Sequence, residues 1–285
     1  MQATDYPEFP ELIAHLLPVV RAAGDEILKI YQTDFSVEAK QDESPLTLAD
    51  LASHRVIENA LTEMHPKWPV ISEESEMAPY SERRQWETYW LVDPLDGTKE
   101  FVNRNGEFTV NIALIQDHRP VLGLVGVPVR QEIYTGCVPL GIAEKHTGSD
   151  VQSLRPRRMQ DRKNLTIVAS RSHGGARLES YLDGLSAQFE HAERTPVGSS
   201  LKLCYLAEGK ADIYPRLGPT SEWDIGAAQA VLEAAGGAVW TFSREVLAYN
   251  AEESILNPEF VAVADAEFNW WDLLPSLPPD SPRHT

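Results

Sequence analysis

The chain has 285 residues and 25 Lys and Arg against 43 Asp and Glu, a formal charge of −18. That balance repels nucleic-acid backbone and anionic membrane surface, so nucleic acid is excluded as a partner and a polyanionic ligand must be met locally, by metal ions or a few clustered bases. Two cysteines, Cys137 and Cys204, stand in unrelated contexts and supply neither a disulfide framework nor zinc-ligand spacing. The first residues lack the basic and apolar regions of a secretion signal, and no stretch approaches the ~18 unbroken apolar residues that span a bilayer. The expected compartment is therefore the cytoplasm, with peripheral contact at the inner membrane face still allowed. The length suits two closely packed halves, expected at residues 1–150 and 151–285, in a monomer or a homodimer.

In chain order, Leu12, Leu16, Val19, Ala23, Ile27 and Ile30 mark one face of a helix from Phe9 to Tyr31, which Pro18 is expected to kink or divide. Thr47 with Asp50 reads as a capping box opening a second helix that Pro66 stops. The apolar Val70-Ile71-Ser72 runs as a short strand into Glu73-Glu74, and residues 75–86 read as a mobile polar loop. Residues 108–115, 120–127 and 132–138 read as successive antiparallel strands. With the first two helices they make an N-terminal α+β half. The basic segment 146–163 reads as a hairpin tip or a connection between halves. From residue 165 the pattern alternates: strand 165–169, helices 176–185 and 199–208, strand 211–214, helix 225–235 and strand 260–264. A Pro-rich tail at residues 275–285 is expected to be disordered.

One stretch concentrates chemistry. Trp90-Leu91-Val92-Asp93-Pro94-Leu95-Asp96-Gly97-Thr98 delivers two carboxylates, the carbonyl of Leu95 between them and a hydroxyl into one tight turn. Magnesium takes hard oxygen ligands of this kind and leaves positions open for phosphate. Gly97 permits a left-handed turn, and Thr98 lies where N–H groups can face an anion. Two further acidic points, Glu73-Glu74 and Asp224 beside Trp223, sit at a strand end and a helix start, where a fold can converge distant side chains. A pair of metal ions about 3.5 to 4 Å apart needs several such carboxylates. Each acid alone has a plainer explanation: solvated charge for Glu73-Glu74, helix capping for Asp224, completion of a capping box for Asp50.

Taken together, Glu73-Glu74, Asp93-Pro94-Leu95-Asp96-Gly97-Thr98 and Trp223-Asp224 resemble the signature of the inositol monophosphatase superfamily, the magnesium-dependent, lithium-sensitive phosphatases. The resemblance spans roughly residues 10 to 265. Lys99-Glu100-Phe101, Asn105-Gly106-Glu107-Phe108-Thr109-Val110-Asn111, Gly198-Ser199-Ser200-Leu201-Lys202 and Tyr214-Pro215-Arg216-Leu217-Gly218-Pro219-Thr220 look like its bacterial 3′(2′),5′-bisphosphate nucleotidase branch. The resemblance implies an αβαβα layered sugar-phosphatase fold with two sheets and a cleft between the halves. It also implies Mg2+, two ions or three. Glu73, Asp93 and the Leu95 carbonyl would hold the first, and Asp93, Asp96 and Asp224 the second. Gly97 and Thr98 would give N–H groups to the phosphate. Glu73 with Thr98 is the first choice for orienting the attacking water, and Asp50, in the segment Ser44 to Asp50, is the second choice for base. For a nucleotide's other phosphate the candidates are Lys202 and Arg216, with Ser170, His173 and Ser199 as neighbours. The implied activity removes the 3′-phosphate of adenosine 3′,5′-bisphosphate, with 3′-phosphoadenylyl sulfate as a further substrate, in sulfur metabolism. The alternative is an inositol or sugar phosphate monoesterase of the same superfamily. A non-catalytic nucleotide-binding regulator on this fold would be expected to have lost one of the matched acids, and none is lost.

Overall fold

A computed structural model gives the structure and describes residues 8–33, 45–161, 163–170 and 175–279. Helices α1 (Phe9–Tyr31) and α2 (Pro45–Glu63) are followed by strand β1 (Val70–Ser72), the short helix α3 (Tyr80–Arg83), strand β2 (Thr88–Asp96) and the short helix α4 (Thr98–Val102). Strands β3 (Thr109–Gln116), β4 (Arg119–Val127), β5 (Glu132–Cys137), β6 (Ile142–Thr147) and β7 (Asp150–Ser153) complete a seven-stranded sheet in sequential order, antiparallel except for the β1–β2 pair. The last strand runs across residue 150, where the two halves were expected to divide. Then come β8 (Asn164–Ala169), α5 (Ala176–Ser186), β9 (His191–Pro196), α6 (Leu201–Ala207), β10 (Ile213–Arg216), α7 (Gly226–Ala235), β11 (Ala238–Thr241) and β12 (Phe260–Val263). Their five strands form a second sheet in the order β11-β12-β10-β8-β9, with β10-β8-β9 parallel.

Alternation along the strands builds the layers. Trp90, Val92, Ile112, Leu114, Leu122 and Leu124 face α1 and α2, while Tyr89, Leu91, Ala113, Ile115, Val125 and Tyr134 face α6 and α7. A sheet buried on both faces is what such strands require, because neither set of apolar side chains can be left in water. The second sheet packs α5 on its far side through Leu178, Tyr181, Leu182 and Leu185. The outcome is the αβαβα layering. Between the sheets, Ala-rich α7 lies so close to the first sheet that a Cβ at Gly123 would meet the Ala227 carbonyl oxygen at 2.0 Å and one at Gly136 would meet the Val231 Cα at 2.3 Å. That contact fixes the start of α7, and Asp224 just before it, over the first sheet.

Several expectations need correction. Pro18 lies inside one continuous α1, where the buried face formed by Leu12, Leu16, Val19, Val20 and Ile27 outweighs the missing backbone bond. Helix α2 starts at Pro45, so Thr47 sits in its first turn and not at an N-cap. Residues 75–86 are anchored and not a free loop: Arg83 is buried, bonded to the Asn250 side chain and the Glu252 and Glu253 carbonyls. The expected strand at 211–214 is shifted to Ile213–Arg216. Residues 275–279 of the tail pack on α5, where Arg177 donates to the Pro278 carbonyl at 2.8 Å. Residues 280–285 lie outside the described residues. The basic segment is both a hairpin and a connection, since β6 and β7 pair and Arg157 then docks on Asp212 of the second half. Among the described residues no helix is long and apolar enough to cross a membrane.

Candidate active site

A cleft of about 350 Å³ opens between the two sheets, lined by Glu73, Asp93, Leu95, Asp96, Gly97 and Thr98 on one side. Ser170, Ser199, Ser200, Lys202, Tyr214, Arg216 and Asp224 line it on the other. The turn from Asp93 to Thr98 owes its geometry to a register shift. Asp93 pairs with Asn111 and Asp96 with Thr109, so two residues on β2, Pro94 and Leu95, oppose the single Val110 on β3. Strict alternation would send Asp93 and Asp96 to opposite faces. The extra residue restores parity and turns both carboxylates to the same side of the sheet. The Asp93 Oδ1 accepts the Leu95 N–H at 3.0 Å, and the Ser53 hydroxyl of α2 donates to the Pro94 carbonyl at 2.8 Å. Gly97, at φ +95°, reverses the chain into α4.

The other acids arrive by separate routes. Strand β1 runs parallel to β2 with Ser72 opposite Val92, and the Glu73 N–H donates to the Val92 carbonyl, which sets Glu73 against Asp93. Asp224 closes a 3-10 turn at Glu222–Asp224, where its Oδ2 accepts the Ser221 N–H at 2.9 Å. It closes the turn before α7, whose N-cap is Ile225 and not Asp224 as the plainer reading expected, and it lines the cleft at once. Trp223 packs against the apolar core beneath it. The Asp96 Oδ2 accepts the Ser200 N–H at 2.5 Å and the Thr109 hydroxyl at 3.4 Å.

Burial makes these carboxyls unusual. Asp93 is 1% exposed, and desolvation, with Asp96, Glu73, Asp224 and Asp50 repelling it in that order, pushes its carboxyl well above the ordinary range. Glu73 is raised mainly by burial, against the hydrogen bond it shares with Asp93. Asp96 is raised by burial although Lys202 and the Ser200 N–H pull it down. Asp224 is pushed up to about 7, by burial first and Asp96 second. Asp50 stands outside the cleft lining, half-buried against Glu74, and burial with the charges of Glu74 and Glu73 lifts it to about 8. Its Oδ1 is buried with no hydrogen-bond partner.

The bases are held as firmly. Lys202, on α6, is 7% exposed and so is buried, not on a solvated helix surface. Its ammonium donates to the Ser199 carbonyl at 2.5 Å and lies 5.4 Å from the centre of the Tyr214 ring. Burial pulls its pKa down to about 8 despite Asp96 and Glu100 nearby. Arg216 ends β10 and donates to the Gly218 and Pro219 carbonyls at 3.1 and 2.7 Å. His173 lies outside the described residues. Three contributors went unrecognised in the sequence as site residues: Glu100, Ser200 and Tyr214 line the cleft too. Each sits within a motif that marks the branch, which was the available signal.

The acids fit a hard divalent cation in kind: every donor is oxygen, and the buried Asp93 is crowded by the other carboxylates. Among the described residues, however, no three His, Cys, Asp or Glu side chains already stand in a finished cation cage. Asp93, Asp96 and Asp224 each direct one oxygen at a backbone N–H instead.

The sequence pattern of the inositol monophosphatase family matches residues 10–270. The chain belongs to the inositol monophosphatase family. Within it, the chain is 44% identical over 252 residues to the 3′(2′),5′-bisphosphate nucleotidase CysQ of Salmonella typhimurium, covering 87% of this chain and 98% of that protein. It is 35% identical over 266 residues to the CysQ of Aggregatibacter actinomycetemcomitans, covering 92% and 97%. The crystal structure of CysQ from Bacteroides thetaiotaomicron superposes with a TM-score of 0.83 at 40% identity, over 91% of this chain and 99% of that one. An inositol monophosphatase from Zymomonas mobilis superposes with a TM-score of 0.75 at 22% identity, over 92% and 96% of the two chains, a likeness of fold.

Proposed function

We propose that this protein is a magnesium-dependent 3′(2′),5′-bisphosphate nucleotidase that converts adenosine 3′,5′-bisphosphate to AMP and phosphate. The supporting observation is the composition of one cleft, in which four acids, the buried Asp93, the part-buried Asp96 and Asp224 and the more exposed Glu73, face two buried bases, Lys202 and Arg216. A monophosphate ester needs only the acid side. A second phosphate gives the bases a partner, and Arg and Lys at an overall charge of −18 are otherwise scarce. The nucleotidases that the chain resembles over nearly their whole length carry that activity in their names.

Glu73, Asp93 and the Leu95 carbonyl would hold one magnesium ion, and Asp93, Asp96 and Asp224 a second, with room for a third. Bound there, magnesium supplies an acidified water near neutral pH and neutralises charge on the phosphate and the departing ribose oxygen. Glu73 and Thr98 orient the attacking water, whose oxygen bonds to phosphorus as the bond from phosphorus to the ribose 3′-oxygen breaks. The ribose oxygen takes up a proton from solvent as it leaves, which balances the one the attacking water gives up. Asp50, behind Glu73 and bonded to Glu74, is the second candidate to receive the proton of the water. The N–H groups at Gly97 and Thr98 face the reacting phosphate, while Lys202 and Arg216 hold the 5′-phosphate, with Ser170 and Ser199 beside them. 3′-Phosphoadenylyl sulfate presents the same 3′-phosphate and is the further substrate, which places the reaction in the clearing of a by-product of sulfate assimilation. Lithium inhibits by taking a cation position without supporting turnover.

The test is a panel of adenosine 3′,5′-bisphosphate, 3′-phosphoadenylyl sulfate and myo-inositol 1-phosphate with purified protein and magnesium, repeated with lithium. The bisphosphate is expected to give the highest kcat/KM. Faster turnover of the inositol ester would overturn the reading in favour of a sugar phosphate monoesterase.

A further inference from the structure

The segment Asn105-Gly106-Glu107 lines no part of the cleft, yet its geometry is built to present one side chain to it from behind. The Asn105 side-chain oxygen accepts the Glu107 N–H at 2.9 Å, and Gly106 takes φ +76°. The turn so formed drives Glu107 inward, where it is 9% exposed and its Oε2 accepts the Gly198 N–H at 2.8 Å. Arg130 faces the other oxygen at 3.9 Å and is itself bonded to the Tyr205 hydroxyl of α6 at 3.1 Å. A buried carboxylate with a cation behind it and a backbone N–H in front is a firm anchor.

What it anchors is the turn at residues 198–200. Ser199 adopts φ +47°, the left-handed region that a side chain disfavours, so the turn needs its neighbours fixed to keep that shape. The Ser199 carbonyl produced by this shape is the oxygen that holds the Lys202 ammonium. Ser200, in contrast, has its own anchors. Its hydroxyl donates to the Asn111 side chain at 2.8 Å and lies 2.9 Å from the Thr109 hydroxyl, while its N–H meets Asp96. Release of Gly198 therefore loosens the lysine side of the turn more than the Asp96 side.

We propose that Glu107 is a positioning residue that, by holding the Gly198 N–H, fixes the Ser199 carbonyl and the Lys202 ammonium, and so sets the preference for substrates with a second phosphate. This deepens the bisphosphate reading and rests on it. Glu107 touches no reacting atom; its effect reaches the substrate through Lys202.

The experiment compares wild type with Glu107→Ala, Glu107→Asp and Glu107→Gln on adenosine 3′,5′-bisphosphate and on 3′-AMP, which lacks the 5′-phosphate. AMP, which keeps it, is titrated by calorimetry as a readout apart from turnover. Glu107→Ala and Glu107→Asp, the latter one methylene too short, raise KM for the bisphosphate and Kd for AMP about tenfold, the worth of one hydrogen bond. KM for 3′-AMP and kcat for both substrates stay within about twofold, and Glu107→Gln, which keeps an acceptor in place, stays near wild type. Equal losses on both substrates, no loss on either, or a Glu107→Gln variant as weak as Glu107→Ala would overturn the proposal. Should the alanine variant fail to fold, the Asp and Gln variants decide it by the same ratio. If wild type itself shows no preference for the bisphosphate, the functional reading falls and this inference with it. If wild type prefers the bisphosphate and the shortened variants keep that preference, this inference alone falls.

Discussion

Two groups of carboxylates among the described residues differ in their partners, and only one of them is paired with arginine. In the second sheet, Asp212 is buried and accepts both the Nε and Nη2 of Arg157, at 2.8 and 2.6 Å, together with the Thr166 N–H. Asp265 has Arg158 at 2.6 Å and the Met159 N–H at 2.9 Å. In the cleft, Glu73, Asp93, Asp96 and Asp224 crowd one another, and among the described residues no Lys or Arg makes an ion pair with any of them. The difference separates acids that hold the fold from acids that await a ligand. A buried charge that serves structure is given a fork of donors, whereas one that serves chemistry is left with open lone pairs and repelling neighbours.

The largest expected effect breaks the functional set. Asp93→Asn is expected to lower kcat/KM by more than about a hundredfold, beyond what residues that merely orient ligands contribute. The same variant melts at a higher temperature than wild type in EDTA, because it removes the charge that all the other acids repel. Steady-state kinetics and a chelated melt read the two halves of that prediction; a variant losing both activity and stability would place Asp93 among the structural acids. Next in size, Lys202→Met raises KM for the bisphosphate by about 10- to 100-fold, the range for one charged hydrogen bond.

A smaller effect concerns pH. Asp224 in the cleft and Asp50 outside its lining hold their protons more tightly folded than unfolded, at about 7 and about 8, so the folded chain binds the extra protons between the unfolded carboxyl range and those values. Their contribution to stability is full below about pH 4 and lost as pH rises through 7 to 8. The Tm of metal-stripped protein is therefore expected to fall on the order of 5 °C between pH 5.5 and 8.5, and magnesium to flatten that slope. A melting series with and without EDTA reads it; a Tm that rises over this window would contradict the sign. The smallest effect on catalysis comes from the neutralised set. Asp212→Ala leaves the Thr166 N–H buried without an acceptor and is expected to destabilise by about 2 kcal/mol, with kcat/KM of the folded protein within about twofold of wild type.

Much of this was legible in the residue order. The hexapeptide Asp93 to Thr98, the apolar face of α1 and the alternation that follows residue 165 each point to one structure, and the structure follows them. The strand His191–Pro196 escaped because its residues are mostly exposed and carry no apolar alternation. The shared face of Asp93 and Asp96 was hidden for a related reason: period-two reading separates them, and only the pairing of Pro94 and Leu95 against Val110 brings them together. Lys202 looks like a surface lysine on a helix, and its burial depends on a second sheet closing over α6. Glu107 and Glu100 lie in short local motifs whose partner, the turn at Gly198, is about 90 residues away, a separation that no local pattern encodes.

The central claim is that the unpaired carboxylates of the cleft form a divalent cation site. Calorimetric titration of magnesium into chelator-treated wild type and Asp93→Asn measures it without turnover. Saturable binding in wild type that is lost in the variant is the predicted result. Equal binding in the two proteins, or none in wild type, would contradict it.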